Sequence, residues 1–210
     1  PKIKTSRSLK GDLHMKQGKI KVSREAAKPR REIKEDEMPY PIPKGWELIE
    51  FGDLTTEIAT GPFGSMIHKS DYVINGIPLI NPSHMINGDI MHDPMVAVSG
   101  EKAKELSSYE LRETDIVMAR RGEMGRCAVV GPHANSWLCG TGSFVLRFVP
   151  SISRRYILNL FRAESTRAYL GGNSVGTTMT NLNHNILKNM PVLIPPIPEQ
   201  HRIVVKIDQL

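Results

Sequence analysis

The sequence predicts an α+β fold: a twisted, mostly antiparallel sheet with helices at its flanks, followed by the start of one more amphipathic helix. Three observations carry this. Short apolar runs of strand length recur between turn signals, as at residues 116–119 and 127–130. Helical periodicity is confined to separate stretches, chiefly 154–170 and 199–210. Strands and helices also fail to alternate in the repeated βαβ rhythm that builds a parallel sheet.

Taken in order, residues 1–44 form a basic leader. Charged and polar groups alternate there with few large apolar residues, a composition that cannot bury a core. Pro39, Pro41 and Pro43 hold its end extended, because each restrains the residue before it. A domain over 45–196 opens at Gly45-Trp46, where Trp46, Leu48, Ile49, Phe51 and Leu54 supply apolar surface. A short helix is expected over 51–60. Residues 61–65 (GPFGS) are a glycine-bearing turn, Asn75-Gly76 turns into a strand over 77–80, and Glu101-Lys102-Ala103-Lys104 begins an exposed helix. Residues 116–119 and 127–130 read as strands, the second ended by Gly131-Pro132.

Residues 137–142 (WLCGTG) are a turn-rich link into a strand over 143–149. In that strand Phe144, Leu146 and Phe148 alternate with Val145, Arg147 and Val149. Over 154–170 a helix places Ile157, Leu158, Phe161 and Ala168 on one face and Arg155, Arg162 and Thr166 on another. Gly171-Gly172 is expected to stop it. Asn183 suits the N-cap of a short helix over 184–189, and 190–194 is a last strand broken by Pro195-Pro196. Residues 197–210 start a helix whose Ile203, Val204, Ile207 and Leu210 form a stripe that needs a partner or a continuation.

Charge is unevenly spread. Residues 1–44 hold 13 Lys/Arg against 6 Asp/Glu, a net of +7, whereas 45–210 hold 15 against 16, a net of −1, which together give +6. Residues 116–167 nonetheless carry 8 Arg, 2 Glu and no Lys. Solubility would be served as well by Lys; planar, bidentate recognition would not.

The chemistry-bearing motifs of several enzyme classes are missing. GPFGS lacks the Gly-Lys-Ser/Thr ending of a P-loop and the spacing of a dinucleotide loop. Asn81-Pro82-Ser83-His84 offers only the first two residues of an amino-methyltransferase loop and reads as a turn after a strand. His84 and His92 have no metal-ligand spacing, HExxH is missing, and Glu101-Lys102-Ala103-Lys104 does not match a nuclease carboxylate–lysine arrangement. Cys127 and Cys139 make neither a disulfide framework nor a metal cluster, and both are expected as buried free thiols in a reducing cytoplasm. No apolar run approaches the ~18 residues of a membrane span.

What remains is residues 115–126, DIVMARRGEMGR. Two strands would fix the ends of a loop in which Gly122 and Gly125 permit positive φ or close backbone approach. Arg120, Arg121 and Arg126 on that loop suit a bidentate grip on phosphate or on the O6/N7 edge of guanine. The alternative is a solvated hairpin tip in which Glu123 pairs with a neighbouring Arg. Further on, 173–183 (NSVGTTMTNLN) is a polar loop. There Asn181 is as well suited to adenine recognition as to a structural role, and Asn183 is better suited to capping.

The ordered set PIPKGWELIEFGDL, GPFGS, GIPLI, DIVMARRGEMGR, GTGSFVLRF, SVGTTMTNLN and MPVLIPPIPEQHRIVVKIDQL resembles the DNA-specificity subunit of type I restriction–modification systems over 41–210. The resemblance implies one target recognition domain (45–196) and the truncated start of a long coiled-coil spacer helix (197–210), as in a half-length subunit or a fragment. It implies a subunit without catalysis or a cofactor of its own. Such a subunit reads one half of a split double-stranded DNA site and positions a methyltransferase subunit, which binds S-adenosylmethionine. A translocating restriction subunit joins them, and a second recognition domain or a second copy of the chain supplies the other half-site. DNA contacts then fall to Arg120, Arg121 and Arg126, to Ser65 and Lys69 from the first loop, and to Thr177, Thr178 and Asn181 from the second. The competing expectation is a scaffold that docks through its C-terminal helix and reads no sequence.

Overall fold

The computed structural model describes residues 41–174 and 181–210. In chain order its strands are β1 (Glu47–Glu50), β2 (Thr55–Thr60), β3 (Tyr72–Ile80), β4 (Met85–Ile86), β5 (Asp89–Ile90), β6 (Ala97–Val98), β7 (Ile116–Ala119), β8 (Cys127–Val129), β9 (Leu138–Cys139), β10 (Ser143–Phe148) and β11 (Pro191–Ile194). The helices are α1 (Gly100–Glu105), α2 (Arg154–Arg162), α3 (Glu164–Asn173), α4 (His184–Lys188) and α5 (Ile197–Ile207). The centre is a four-stranded antiparallel sheet in the order β2-β10-β7-β8. β1 and β11 form a separate antiparallel pair, β4 and β5 a small hairpin, and β3 lies between β6 and β9, parallel to the latter.

The two-residue alternation of side chains explains why both faces of the central sheet are covered. Ile116, Met118, Phe144, Leu146 and Phe148 turn to one face and pack with Phe51, Ile157, Phe161, Leu170 and Leu187 from the helical side. Val117, Ala128, Val130 and Val145 turn to the other and meet Ile80, Met85, Ile90, Leu111 and Cys139. A third, smaller cluster joins Leu79, Val98, Ala103, Leu106 and Leu138 around β3, β6 and α1. The middle strands are therefore apolar on both sides, which is why residues 116–119 read as a continuous apolar run.

Arg147 is the charged residue on β10. Its Nε donates to both carboxylate oxygens of Asp115 at 3.2 Å, Nη1 meets Glu57 at 2.5 Å and Nη2 donates to Glu110 O at 3.0 Å. Arg154 similarly holds the end of β10, donating to the carbonyls of Thr114, Phe148, Val149 and Ile152. Two of the eight arginines in 116–167 are thus fixtures of the fold.

Several elements differ from the sequence expectation. Residues 51–60 are a short 3-10 turn (Phe51–Leu54) and then β2, not a helix, because the β-branched stretch completes the sheet against β10. The Asn75-Gly76 turn lies within β3: Tyr72 and Ile77 both face Val98 across a bulge, and Asn75 sits at φ +56°. Residues 137–142 contain β9 rather than links alone. The helix expected over 154–170 is broken at Ala163, whose ψ of 138° is extended. The break resets the helical phase, so Thr166 is buried and Ala168 exposed, the reverse of the expected faces. Gly171-Gly172 do not end α3; Asn173 does, followed by Ser174, whose hydroxyl donates to Gly171 O. Asn183 caps α4 as expected, accepting from Ile186 N–H at 3.0 Å.

The last helix begins after Pro195-Pro196. Gln200, in its first turn, is fully buried, accepting from Ser153 N–H and donating to Pro195 O, both at 2.9 Å. Ile203 and Val204 pack partly on the main core, while Ile207 and Leu210 of the expected stripe are exposed.

Candidate nucleic-acid interface

Three loops leave one end of the central sheet together. Thr60 pairs with Phe144, Ala119 with Ser143 and Met118 with Cys127. The end of β2, the start of β10, the end of β7 and the start of β8 therefore form a row. The 61–71 loop, the 120–126 loop and the 140–142 turn emerge from that row. Backbone hydrogen bonds knit them: Gly61 N–H to Ser143 O at 2.9 Å, Arg120 N–H to Gly142 O at 2.8 Å and Leu182 N–H to Arg120 O at 3.0 Å. The last bond brings the segment that carries Asn181 to the same place. Gly61 is required by its surroundings, since a Cβ there would stand 2.1 Å from Gly140 O.

The three loop arginines do different things. Arg120 is half-buried: its guanidinium lies 5.0 Å from the centroid of the fully buried Phe144 ring, and Nε donates to Leu182 O at 3.4 Å. Burial, and secondarily the neighbouring charge of Arg121, push its pKa down. Arg120 therefore brackets the loop and the 181–182 segment. Arg121 is exposed, and its Nε donates to Asn181 Oδ1 at 3.4 Å. Its two terminal nitrogens make no hydrogen bond among the described residues.

Arg126 follows the alternative weighed from sequence. Its Nε and Nη2 meet Glu123 Oε2 at 3.0 and 2.7 Å, and Nη1 reaches Pro82 O at 3.5 Å. With both partners substantially exposed, that ion pair contributes little to stability.

Gly122 and Gly125 adopt φ of +80° and +83°, as the loop requires. Ser65 is exposed in the 3-10 turn Gly64–Met66, on the loop that shares the sheet end. Lys69 is exposed at the far arm of that loop, in a turn (Lys69–Asp71) tied toward α1 by Lys102 Nζ at 3.8 Å from Asp71. The structure thus brings Arg121 and Asn181 into contact and sets Ser65 on the same end, while Lys69 lies toward α1. Thr177 and Thr178 lie outside the described residues. Sequence reasoning overlooked Phe63, which is 71% exposed at the tip of the first loop. The signal was present: Gly-Pro-Phe-Gly places a large apolar ring in a turn that cannot bury it.

The arrangement is a platform of fixed backbone that presents an arginine–asparagine pair to solvent. Arg offers two parallel donors to guanine or phosphate, and Asn offers one donor and one acceptor to adenine. Cys127 and Cys139 are buried thiols whose pKa values burial pushes up to about 12, so neither is a nucleophile at neutral pH.

Comparison with known proteins agrees with this platform. Residues 43–210 match the family described as the type I restriction modification DNA specificity domain. Over 179 residues the chain is 28% identical to the EcoKI specificity subunit of Escherichia coli K12 and 27% identical to the StySPI specificity subunit of Salmonella potsdam. Each of these alignments covers 80% of this chain and 37% of the relative, so the chain spans under two-fifths of the length of these curated relatives. The fold is similar to that of the HsdS subunit from Thermoanaerobacter tengcongensis, with a TM-score of 0.57 and 22% identity over 82% of this chain and 39% of that one. A chain from a type I R-M system assembly gives a TM-score of 0.60 with 21% identity over 82% of this chain and 40% of the other. A loop platform on a two-faced antiparallel sheet and a match over most of its length together place this chain in the type I restriction modification DNA specificity domain family.

Proposed function

We propose that this chain is a target recognition domain that reads one half of a split site in double-stranded DNA. The observation that carries the proposal is the Arg121–Asn181 contact. Two side chains with complementary base-reading geometries, from segments 60 residues apart, meet on the solvent side of the sheet end. Family membership supplies the context. In this reading the domain has no catalytic residues and binds no cofactor. It works in the cytoplasm, positioning a separate methyltransferase subunit with its S-adenosylmethionine and a restriction subunit that joins the assembly. Arg121 and Asn181 contact bases, Arg126 contacts a phosphate after exchanging Glu123 for it, and Ser65, Lys69, Thr177 and Thr178 supply further contacts. Residues 197–210 begin the spacer helix, and the exposed Ile207 and Leu210 are its face toward a partner helix.

The experiment is selection from a random duplex library with the full-length protein, reconstituted with its methyltransferase subunit and S-adenosylmethionine. Enrichment of a split motif is expected. A stable complex that enriches no motif would reject sequence reading in favour of a scaffold.

A further inference from the structure

The corner between α2 and α3 is built against the arginine loop. Gly125, at φ +83°, is seated so closely on this corner that a Cβ would stand 2.4 Å from Phe161 O and 3.2 Å from Arg167 Cγ. Arg162, at the last position of α2, lies over the turn between β4 and β5, where a Cβ on Gly88 would stand 2.8 Å from its Nη2. The Arg162 charge also reaches Cys127, the residue after Arg126. Arg162 and Arg167 are both exposed, and among the described residues neither is paired with a carboxylate.

The direction of α2 decides which of its arginines can take part. Arg154, at its start, donates to Thr114 O and Phe148 O, which lie at the opposite end of the sheet from the loops. The helix then runs the length of the sheet, so Phe161 and Arg162 arrive at the loop end and Arg155 remains at the far one. Two guanidinium groups with no carboxylate partner among the described residues thus flank the 120–126 loop on a helical corner, joined to it by close backbone contact at Gly125.

Resting on the reading of the loop end as a DNA face, we propose that Arg162 and Arg167 form a phosphate-binding flank. In this arrangement the arginine loop reads bases, and the α2–α3 corner grips the adjacent sugar–phosphate backbone and fixes the angle at which the loop approaches. Phosphate contacts position a protein on the duplex without carrying sequence information, so this flank sets register and affinity and leaves base preference to the loop.

The test uses the full-length protein with its methyltransferase subunit, titrated over a range of salt against a duplex carrying its selected motif and against a scrambled duplex. Each phosphate contact contributes about 0.9 to the slope of log affinity against log salt. The double variant R162Q/R167Q is expected to lower that slope by about 1.8 on both duplexes, weakening both by the same factor. The variant R162K/R167K retains the slope, and R155Q, at the far end of α2, leaves it unchanged. An unchanged slope in R162Q/R167Q would overturn the proposal. So would a loss confined to the motif duplex, which would make these residues base readers, or a fall in Tm, which would make them structural. Equal binding of both duplexes by the wild-type complex is a different failure, and it would reject sequence reading itself.

Discussion

Replacing Arg120 by Ala tests its assignment as a bracket between the loop and the 181–182 segment. The guanidinium lies 5.0 Å from the centroid of the Phe144 ring, a contact worth roughly 0.5–2 kcal/mol depending on its desolvation. The hydrogen bond to Leu182 O is long, at 3.4 Å, so it adds about 0.5 kcal/mol rather than the larger value of a short charged bond. Against these stands the cost of holding a partly desolvated cation beside Arg121, which the lowered pKa of Arg120 reports. The balance for Arg120→Ala is a loss of about 1–2 kcal/mol, and in a domain of this size a Tm lower by about 3–6 °C.

Arg121→Ala, at an exposed position with one long hydrogen bond, is expected to stay within ~0.5 kcal/mol of wild type. Thermal melts of the two single variants measure both quantities, and hydrogen exchange at the Leu182 amide, which donates to Arg120 O, reports whether the segment comes loose. A normal Tm and unchanged Leu182 protection in Arg120→Ala would refute the assignment of Arg120 as a bracket. A large loss in Arg121→Ala would refute the assignment of Arg121 as a residue free to bind a ligand.

Other perturbations follow from the same geometry. Gly125→Ala puts a methyl 2.4 Å from Phe161 O at φ +83°, so strain and clash together are expected to cost more than ~2 kcal/mol; a wild-type urea midpoint in this variant would show that the loop is not seated on the helix. His84 Nδ1 accepts the Asn81 N–H at 3.2 Å, and burial pushes its pKa below the usual 6.5. A lowered His pKa means that the unfolded chain binds the proton more tightly. Stability from this group is therefore complete above pH 6.5 and is lost as pH falls through that value toward the folded pKa. Denaturation curves from pH 7.5 to 5 should show this decline, and His84→Asn should reduce it; equal pH slopes would contradict it. Cys127 and Cys139, with pKa values pushed up to about 12, should resist thiol reagents in the native protein at pH 8 and react fully in denaturant. Rapid native labelling would show that one of them is accessible.

The parts of the fold visible in sequence are those decided by local pattern. β7 and β8 show as apolar runs, Asn183 as a cap, and Gly122 and Gly125 as the positive-φ points of a loop. What stayed hidden was decided at a distance. Residues 55–60 become a strand only because β10 has an open edge for them. The helix breaks at Ala163, a residue type that favours helices, so its sequence carries no stop signal there. Among three arginines in one loop, nothing local distinguishes the one facing Phe144 from the one facing solvent or the one held by Glu123. That sorting is a property of what the rest of the chain brings to each side of the loop. The resemblance reached further than periodicity, because an ordered set of motifs encodes the whole domain while a hydrophobic pattern encodes one element at a time.

The most direct test of sequence reading by the loop end is to compare base preference in wild type and Arg121→Gln. Both proteins would be assembled with the methyltransferase subunit and presented with the selected motif and every single-base variant of it. Loss of one bidentate base contact is expected to cost ~1–3 kcal/mol and to relax discrimination at one position of each half-site that this domain reads, leaving the other positions unchanged. Uniform weakening at every position, with discrimination intact, would contradict base reading by Arg121.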